Sequence, residues 1–109
     1  MNLFTLAFTL IGAIAIDGDT LKLNGKSYRL WGIDAPERAN PAGPAATHAL
    51  AQLIAGQPLE CTELDVDRYD RTVVQCLLPN GTDIACAMVA MSHARDWPRY
   101  SDGFYAGCE

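Results

Sequence analysis

Ile16-Asp17-Gly18-Asp19-Thr20 and Gly32-Ile33-Asp34-Ala35-Pro36-Glu37 are the two stretches whose relation decides the fold. Between them, Leu21 and Leu23 alternate with polar neighbours, Asn24-Gly25 is a strong turn signal, and Tyr28-Arg29-Leu30-Trp31 returns as strand. A tight hairpin brings its outer ends together, so Asp19, Asp34 and Glu37 are expected at one end of a sheet with Arg29 beside them. Three carboxylates crowded together repel one another unless a cation sits among them. Strict two-residue pairing, however, sets Thr20 opposite Arg29 and turns Asp19 and Arg29 to opposite faces. Their convergence therefore predicts a bulge or an odd-length loop between them.

Working outward, Met1 to Ile16 carries no charged residue. Ala13-Ile14-Ala15 has the small-residue form of a signal-peptide cleavage site, but a basic leader is missing and the cut would remove the strand entering Asp17. The run predicts a buried first strand from Phe8 to Ile16. It is shorter than the ~20 residues of a bilayer-spanning helix, so no membrane role is expected. On the other side, Arg38 to Pro44 is a polar loop, and Ala46, Leu50, Leu53 and Ile54 recur at helical spacing, predicting a helix from Pro44 to Ala55 ended by Gly56. His48 on that helix has no partner at metal spacing and reads as a surface residue.

Leu59 to Leu78 reads as a second hairpin with its tip at Asp67-Arg68-Tyr69-Asp70. The midpoint of that tip sets Cys61 opposite Cys76, close enough for a disulfide. Nothing local fixes the state of Cys86 and Cys108, and four free thiols are the competing reading. No Cys-x-x-Cys spacing supports zinc or thioredoxin chemistry. The cysteine count and the apolar start favour a secreted or periplasmic location. Asp83 is placed to cap a helix from Ile84 to Met91, with Ile84, Met88 and Met91 on its core face. His93 has no matching ligand, and the chain turns aromatic after Trp97-Pro98.

Half of the 109 residues are hydrophobic and 19% are charged, which fits one soluble globular domain over 1–109 rather than a disordered chain. The net charge of −5 argues against a protein that coats DNA. A local basic patch still has Arg29, Arg68, Arg71, Arg95 and Arg99 to draw on.

These residues carry chemistry. Asp19 and Asp34, on different strands, suit a hard cation such as Ca2+. Glu37 is the candidate to orient or deprotonate a water. Arg29 and Arg71 present planar forks that match phosphate oxygens. Tyr69 offers a ring or hydroxyl to a nucleotide.

The ordered set Asp17-Gly18-Asp19-Thr20, Arg29-Leu30-Trp31-Gly32-Ile33-Asp34-Ala35-Pro36-Glu37 and Asp67-Arg68-Tyr69-Asp70-Arg71 resembles the staphylococcal nuclease (thermonuclease) family, and the resemblance runs from about Ile11 to about Tyr105. It implies an α+β, mainly β fold: a five-stranded OB-like barrel with two helices packed on it. It also implies Ca2+ held by Asp19, Asp34 and the backbone carbonyl of Ala35, with Glu37 as general base and Arg29 and Arg71 as catalytic groups. Tyr69 would pack on the nucleotide, and Arg68 stands where the family often has a basic residue. The implied activity is cleavage of single- or double-stranded DNA and of RNA to 3′-phosphate ends. Family members usually continue into a further helix, and its absence here implies either a marginally stable chain or self-association over the uncovered surface. Two other readings compete: a non-catalytic OB module that binds single-stranded nucleic acid or a protein, and a remnant of a nuclease gene that folds poorly.

Overall fold

The computed structural model describes residues 6–109; Met1 to Thr5, the start of the apolar run, lie outside the described residues. The chain is α+β and mainly β. Its order is β1 (Ala7–Leu10), β2 (Ile14–Asp17), β3 (Thr20–Leu23), β4 (Lys26–Leu30), β5 (Ile33–Asp34), α1 (Gly43–Ile54), β6 (Leu59–Val66), β7 (Thr72–Leu77), α2 (Ile84–Ala90), β8 (Arg95–Asp96), α3 (Pro98–Ser101) and a 3-10 turn, Ala106–Cys108. Six strands form one sheet in the order β1-β6-β7-β4-β3-β2, and β5 pairs with β8 separately.

Chain connectivity dictates the curl of that sheet. β1 and β2 are its two edges, yet only residues 11–13 separate them. In a flat sheet, five interstrand spacings would part the edges by about 24 Å. The four steps from Leu10 to Ile14 reach at most about 14 Å. The sheet must therefore bend into an OB-like half-barrel. The single strand expected from Phe8 to Ile16 is accordingly two strands, broken where Gly12 takes a left-handed conformation (φ 82°). Nor is it a buried strand: Leu10 faces the core, while Ile11 and Ile14 are 72% and 60% exposed. The extra strand, together with β5, β8 and the short α3, takes the element count past five strands and two helices.

Local signals set the rest. Asn24 and Gly25 both have positive φ (52° and 79°), the two-residue hairpin turn whose twist matches its strands. α1 opens with Pro44 in its first turn and ends at Ala55, with left-handed Gly56 following. Asp83 caps α2 by accepting from the backbone N–H groups of Ala85 and Cys86. Leu21, Leu30, Ile33, Leu50, Leu59, Val74, Ile84, Met88 and Tyr105 fill the core between sheet and helices. Met91, expected on the core face, is exposed because the helix has ended before it.

Both cysteine pairs are disulfides. Cys61 and Cys76 are directly opposed in the β6–β7 ladder with Cα atoms 4.0 Å apart. Cys86–Cys108 ties α2 to the C-terminal turn, Cα to Cα 5.4 Å. In the chain-entropy model each closed loop contributes about 3 kcal/mol.

Candidate functional site

Asp19 sits where β2, β3 and β5 meet. It is 7% exposed and is the second residue of the Gly18–Asp19 turn between β2 and β3. Gly18 is required there by close approach. A Cβ on it would lie 2.8 Å from the Cβ atoms of both Ala35 and Ala46, so any side chain would push the turn off β5 and α1. That contact brings Asp19 onto the next carboxylate segment: its Oδ2 accepts from the Ala35 N–H at 2.9 Å. The hydroxyl of Thr20 donates to Oδ1 at 3.1 Å.

The hairpin between Asp19 and Arg29 is regular, pairing Thr20 with Arg29 and Leu21 with Tyr28, so the irregularity expected there is absent. The register shift falls one strand earlier, between Ala15 and Asp17 of β2. The two side chains converge nonetheless. Asp19 belongs to a turn and not to the pleat, and Arg29 bends back along the sheet end. Its Nη1 donates to the Leu30 carbonyl at 2.6 Å, and its Nη2 lies 3.3 Å from Asp19 Oδ2. A long side chain overrides the facing rule that binds short ones.

Asp34 and Glu37 lie on the other side of this junction. Together with Ala35, Asn40, His93 and Arg95 they line a cleft of about 570 Å³. Asp34 is half-buried on β5, paired in register with Arg95 of β8. Glu37 is exposed on the loop leading to α1. Its carbonyl accepts from the Asn40 N–H at 2.9 Å, and Gly43 packs so closely on that carbonyl that a Cβ would overlap it. The three carboxylates do not form a cluster: no group of three His, Cys, Asp or Glu at ligand spacing occurs among the described residues.

Arg29, Arg68, Tyr69 and Arg71 line a second groove of about 720 Å³. Arg71 is held by Asp67, whose Oδ2 takes its Nε–H at 2.7 Å, while Oδ1 accepts the backbone N–H groups of Tyr69 and Arg71. Burial alone would raise the Asp67 carboxyl, but those Arg71 and Tyr69 hydrogen bonds outweigh it and hold the group below its ordinary 3.8. Guanidinium groups lie over rings along the groove: Arg68 and Arg71 over Tyr69 at 5.1 and 5.3 Å, and Arg29 over Trp97 at 5.7 Å.

Trp97, Arg99 and Tyr100 complete this groove; the sequence counted Arg99 toward a local basic patch but gave the two aromatic residues no role in a site. Their signal was present in Trp97-Pro98-Arg99-Tyr100, where aromatic residues interleave with a base as in nucleic-acid platforms. Their placement comes from β8. The Trp97 N–H donates to the Gly32 carbonyl at 2.9 Å, and buried Asp96 accepts from the Ser101 hydroxyl and the Tyr105 N–H. Tyr105 packs where a Cβ on Gly32 would collide with its ring. Burial, then its hydrogen bond to Asp83, pushes the Tyr105 phenol well above its usual value, so it stays neutral.

A family model described as Staphylococcal nuclease homologue matches residues 27–105. The chain belongs to the staphylococcal nuclease family. Among relatives, an uncharacterized endonuclease of Escherichia coli is 31% identical over 90 residues, covering 79% of this chain and 59% of that protein. Succinoglycan biosynthesis protein ExoI of Rhizobium meliloti is 31% identical over 108 residues, covering 89% of this chain and 56% of that one. A micrococcal nuclease of Shigella flexneri is 42% identical over 62 residues, which is 53% of this chain and 36% of that protein. The chain thus spans less than two thirds of the length of these relatives.

Proposed function

We propose that this chain hydrolyses phosphodiester bonds of DNA or RNA at the Asp19 junction, with calcium, leaving 3′-phosphate ends. One observation carries the reading. Asp19 Oδ2 lies within 3.3 Å of Arg29 and 2.9 Å of the Ala35 N–H, and so joins a residue lining the groove of arginines and rings to one lining the carboxylate cleft.

The donor chemistry fits a hard cation: the carboxylates of Asp19 and Asp34 and the backbone carbonyl of Ala35. Asp19 is already committed to Thr20, Ala35 and Arg29, but a carboxylate offers about four lone-pair sites. A cation held there would leave room for water and phosphate oxygens, so metal and nucleic acid would reinforce each other's binding. Calcium, when bound, would neutralise charge on the phosphoryl oxygens. Glu37 accepts the proton of the attacking water as its oxygen bonds to phosphorus. The bond from phosphorus to the 5′ oxygen breaks, and that oxygen leaves as a hydroxyl after taking a proton from solvent. Arg29 and Arg71 retain N–H groups beyond those used on Leu30, Asp19 and Asp67, and these bind the non-bridging oxygens as charge gathers there. The two disulfides suit an oxidising compartment. No helix among the described residues is long and apolar enough to cross a membrane.

The test is cleavage of single- and double-stranded DNA with and without Ca2+, alongside Glu37→Gln. Calcium-dependent cleavage that falls by about 10²-fold or more in the variant is expected for loss of a general base. Glu37 is exposed, so its melting temperature stays near that of the parent. A folded protein that binds oligonucleotides without cutting them would transfer the groove to the reading as a non-catalytic OB module.

A further inference from the structure

We infer that the cleft between the loop at 36–40 and the strand at 92–95 is a second nucleic-acid subsite, holding the chain on the far side of the cleaved phosphate from the arginine–aromatic groove. The inference rests on the nuclease reading above and adds the path of the substrate and the residues that grip its other half.

Geometry supplies the first argument. A single oxygen, Asp19 Oδ2, contacts Ala35 from one cleft and Arg29 from the other. A phosphate bound by Arg29 beside this carboxylate has the groove on one side and, past Ala35, the cleft on the other. A polynucleotide continues in both directions from any internal phosphate, and the groove with Tyr69 and Trp97 accommodates only one of them. The other direction leads into the cleft of about 570 Å³, a size within the usual range for small-molecule sites.

Chemistry supplies the second. Arg95 is exposed at the wall of this cleft and takes part in none of the ion pairs among the described residues, although Asp34 is its register partner. Its N–H groups are therefore available to a phosphate. Half-buried His93 adds a ring donor beside it, and Pro36 and Ala94 give apolar wall for a sugar or base. Asp34, its cross-strand neighbour, and Glu37 repel a phosphate within the same cleft, so the next phosphate along the chain is drawn to the one guanidinium there, Arg95. Buried Asp96 separates Arg95 in this cleft from Trp97 in the groove, so one short segment serves both halves of the path.

The test is binding of dye-labelled oligothymidylates of about three and about nine nucleotides, followed by anisotropy in EDTA, against the parent, Arg95→Ala and Arg95→Lys. The parent is expected to gain affinity with length, and Arg95→Ala to lose at least threefold of that gain. The salt slope for the longer strand should fall by about 0.7 in Arg95→Ala, one phosphate contact on a single strand, and stay intact in Arg95→Lys. Equal weakening at both lengths, an unchanged long-strand affinity and slope, or a parent with no length dependence would each overturn the subsite. Arg95→Ala matching a parent that cleaves DNA removes this inference and leaves the nuclease reading standing. A parent that neither binds nor cleaves removes both.

Discussion

The Asp19 junction and the arginine–aromatic groove lie side by side but are held by opposite means. The junction is a packing product. Asp19 is buried, Gly18 leaves no room for a single added carbon, and each oxygen has a named donor. The groove is a surface product: Tyr69, Trp97 and Tyr100 are 66%, 37% and 54% exposed, and its order comes from one ion pair and from the anchoring of residues 95–108 beneath it. A reacting centre has to be fixed to a fraction of an ångström, whereas a platform for flexible strands only has to present rings and charge. The difference teaches where each half is vulnerable.

The largest expected effect breaks the groove's anchor. Replacing both Cys86 and Cys108 by serine removes about 3 kcal/mol of stability and lowers the melting temperature by well over ten degrees for a chain of this size. Below that melting point, oligonucleotide affinity should fall further than Ca2+-dependent cleavage of short substrates, because Trp97 and Tyr100 lie inside the opened loop and Asp19 does not. Equal loss of both would show that the two regions share one support.

Next comes Gly18→Ala, which strikes the junction alone. Its Cβ meets two others at 2.8 Å, in a place with no flexible side-chain end to move aside. Overpacking of this kind costs about 1–3 kcal/mol. Denaturant melts should show it, and cleavage should drop while oligonucleotide affinity is largely kept. Retained cleavage would mean that Asp19 tolerates displacement.

The smallest effect sharpens the groove side. The Asp67 carboxyl lies below its ordinary value in the folded chain, so the stability it gives the 67–71 loop is complete above about pH 4 and is lost as pH falls through 3.8 and beyond. Asp67→Asn should therefore weaken oligonucleotide binding no more than about fivefold at neutral pH, the upper end for an exposed ion pair. It should also flatten the acid limb of loop order followed by NMR shifts of Tyr69 and Arg71. An unchanged acid limb would mean that another group holds the loop.

Much of the site was legible before any fold was known, because it is written in short-range signals. Cys61 meets Cys76 only through a register shift between Glu63 and Asp65, but Asn24-Gly25 sets the first hairpin's register, Asp67 closes the second hairpin's tip onto Arg71, and Asp83 and Gly56 mark helix ends. Each of these depends on hydrogen bonds between near neighbours in the chain, so turn chemistry alone carries the answer. The facing rule for Asp19 and Arg29 failed for the complementary reason. It describes backbone pleat, and the contact is made by a turn and a long guanidinium arm.

Contacts between partners far apart along the chain came only with the packed fold. The parallel pairing of β4 with β7, the β5–β8 pair that carries Arg95 and Trp97 to the site, and the Cys86–Cys108 bridge leave no local mark. Neither does the division of the site into two clefts bridged by one carboxylate. Motifs and turns could be read along the chain, since residue types and turns are local properties. Only the curled sheet could say which of those residues meet, because that is fixed by packing the whole core at once.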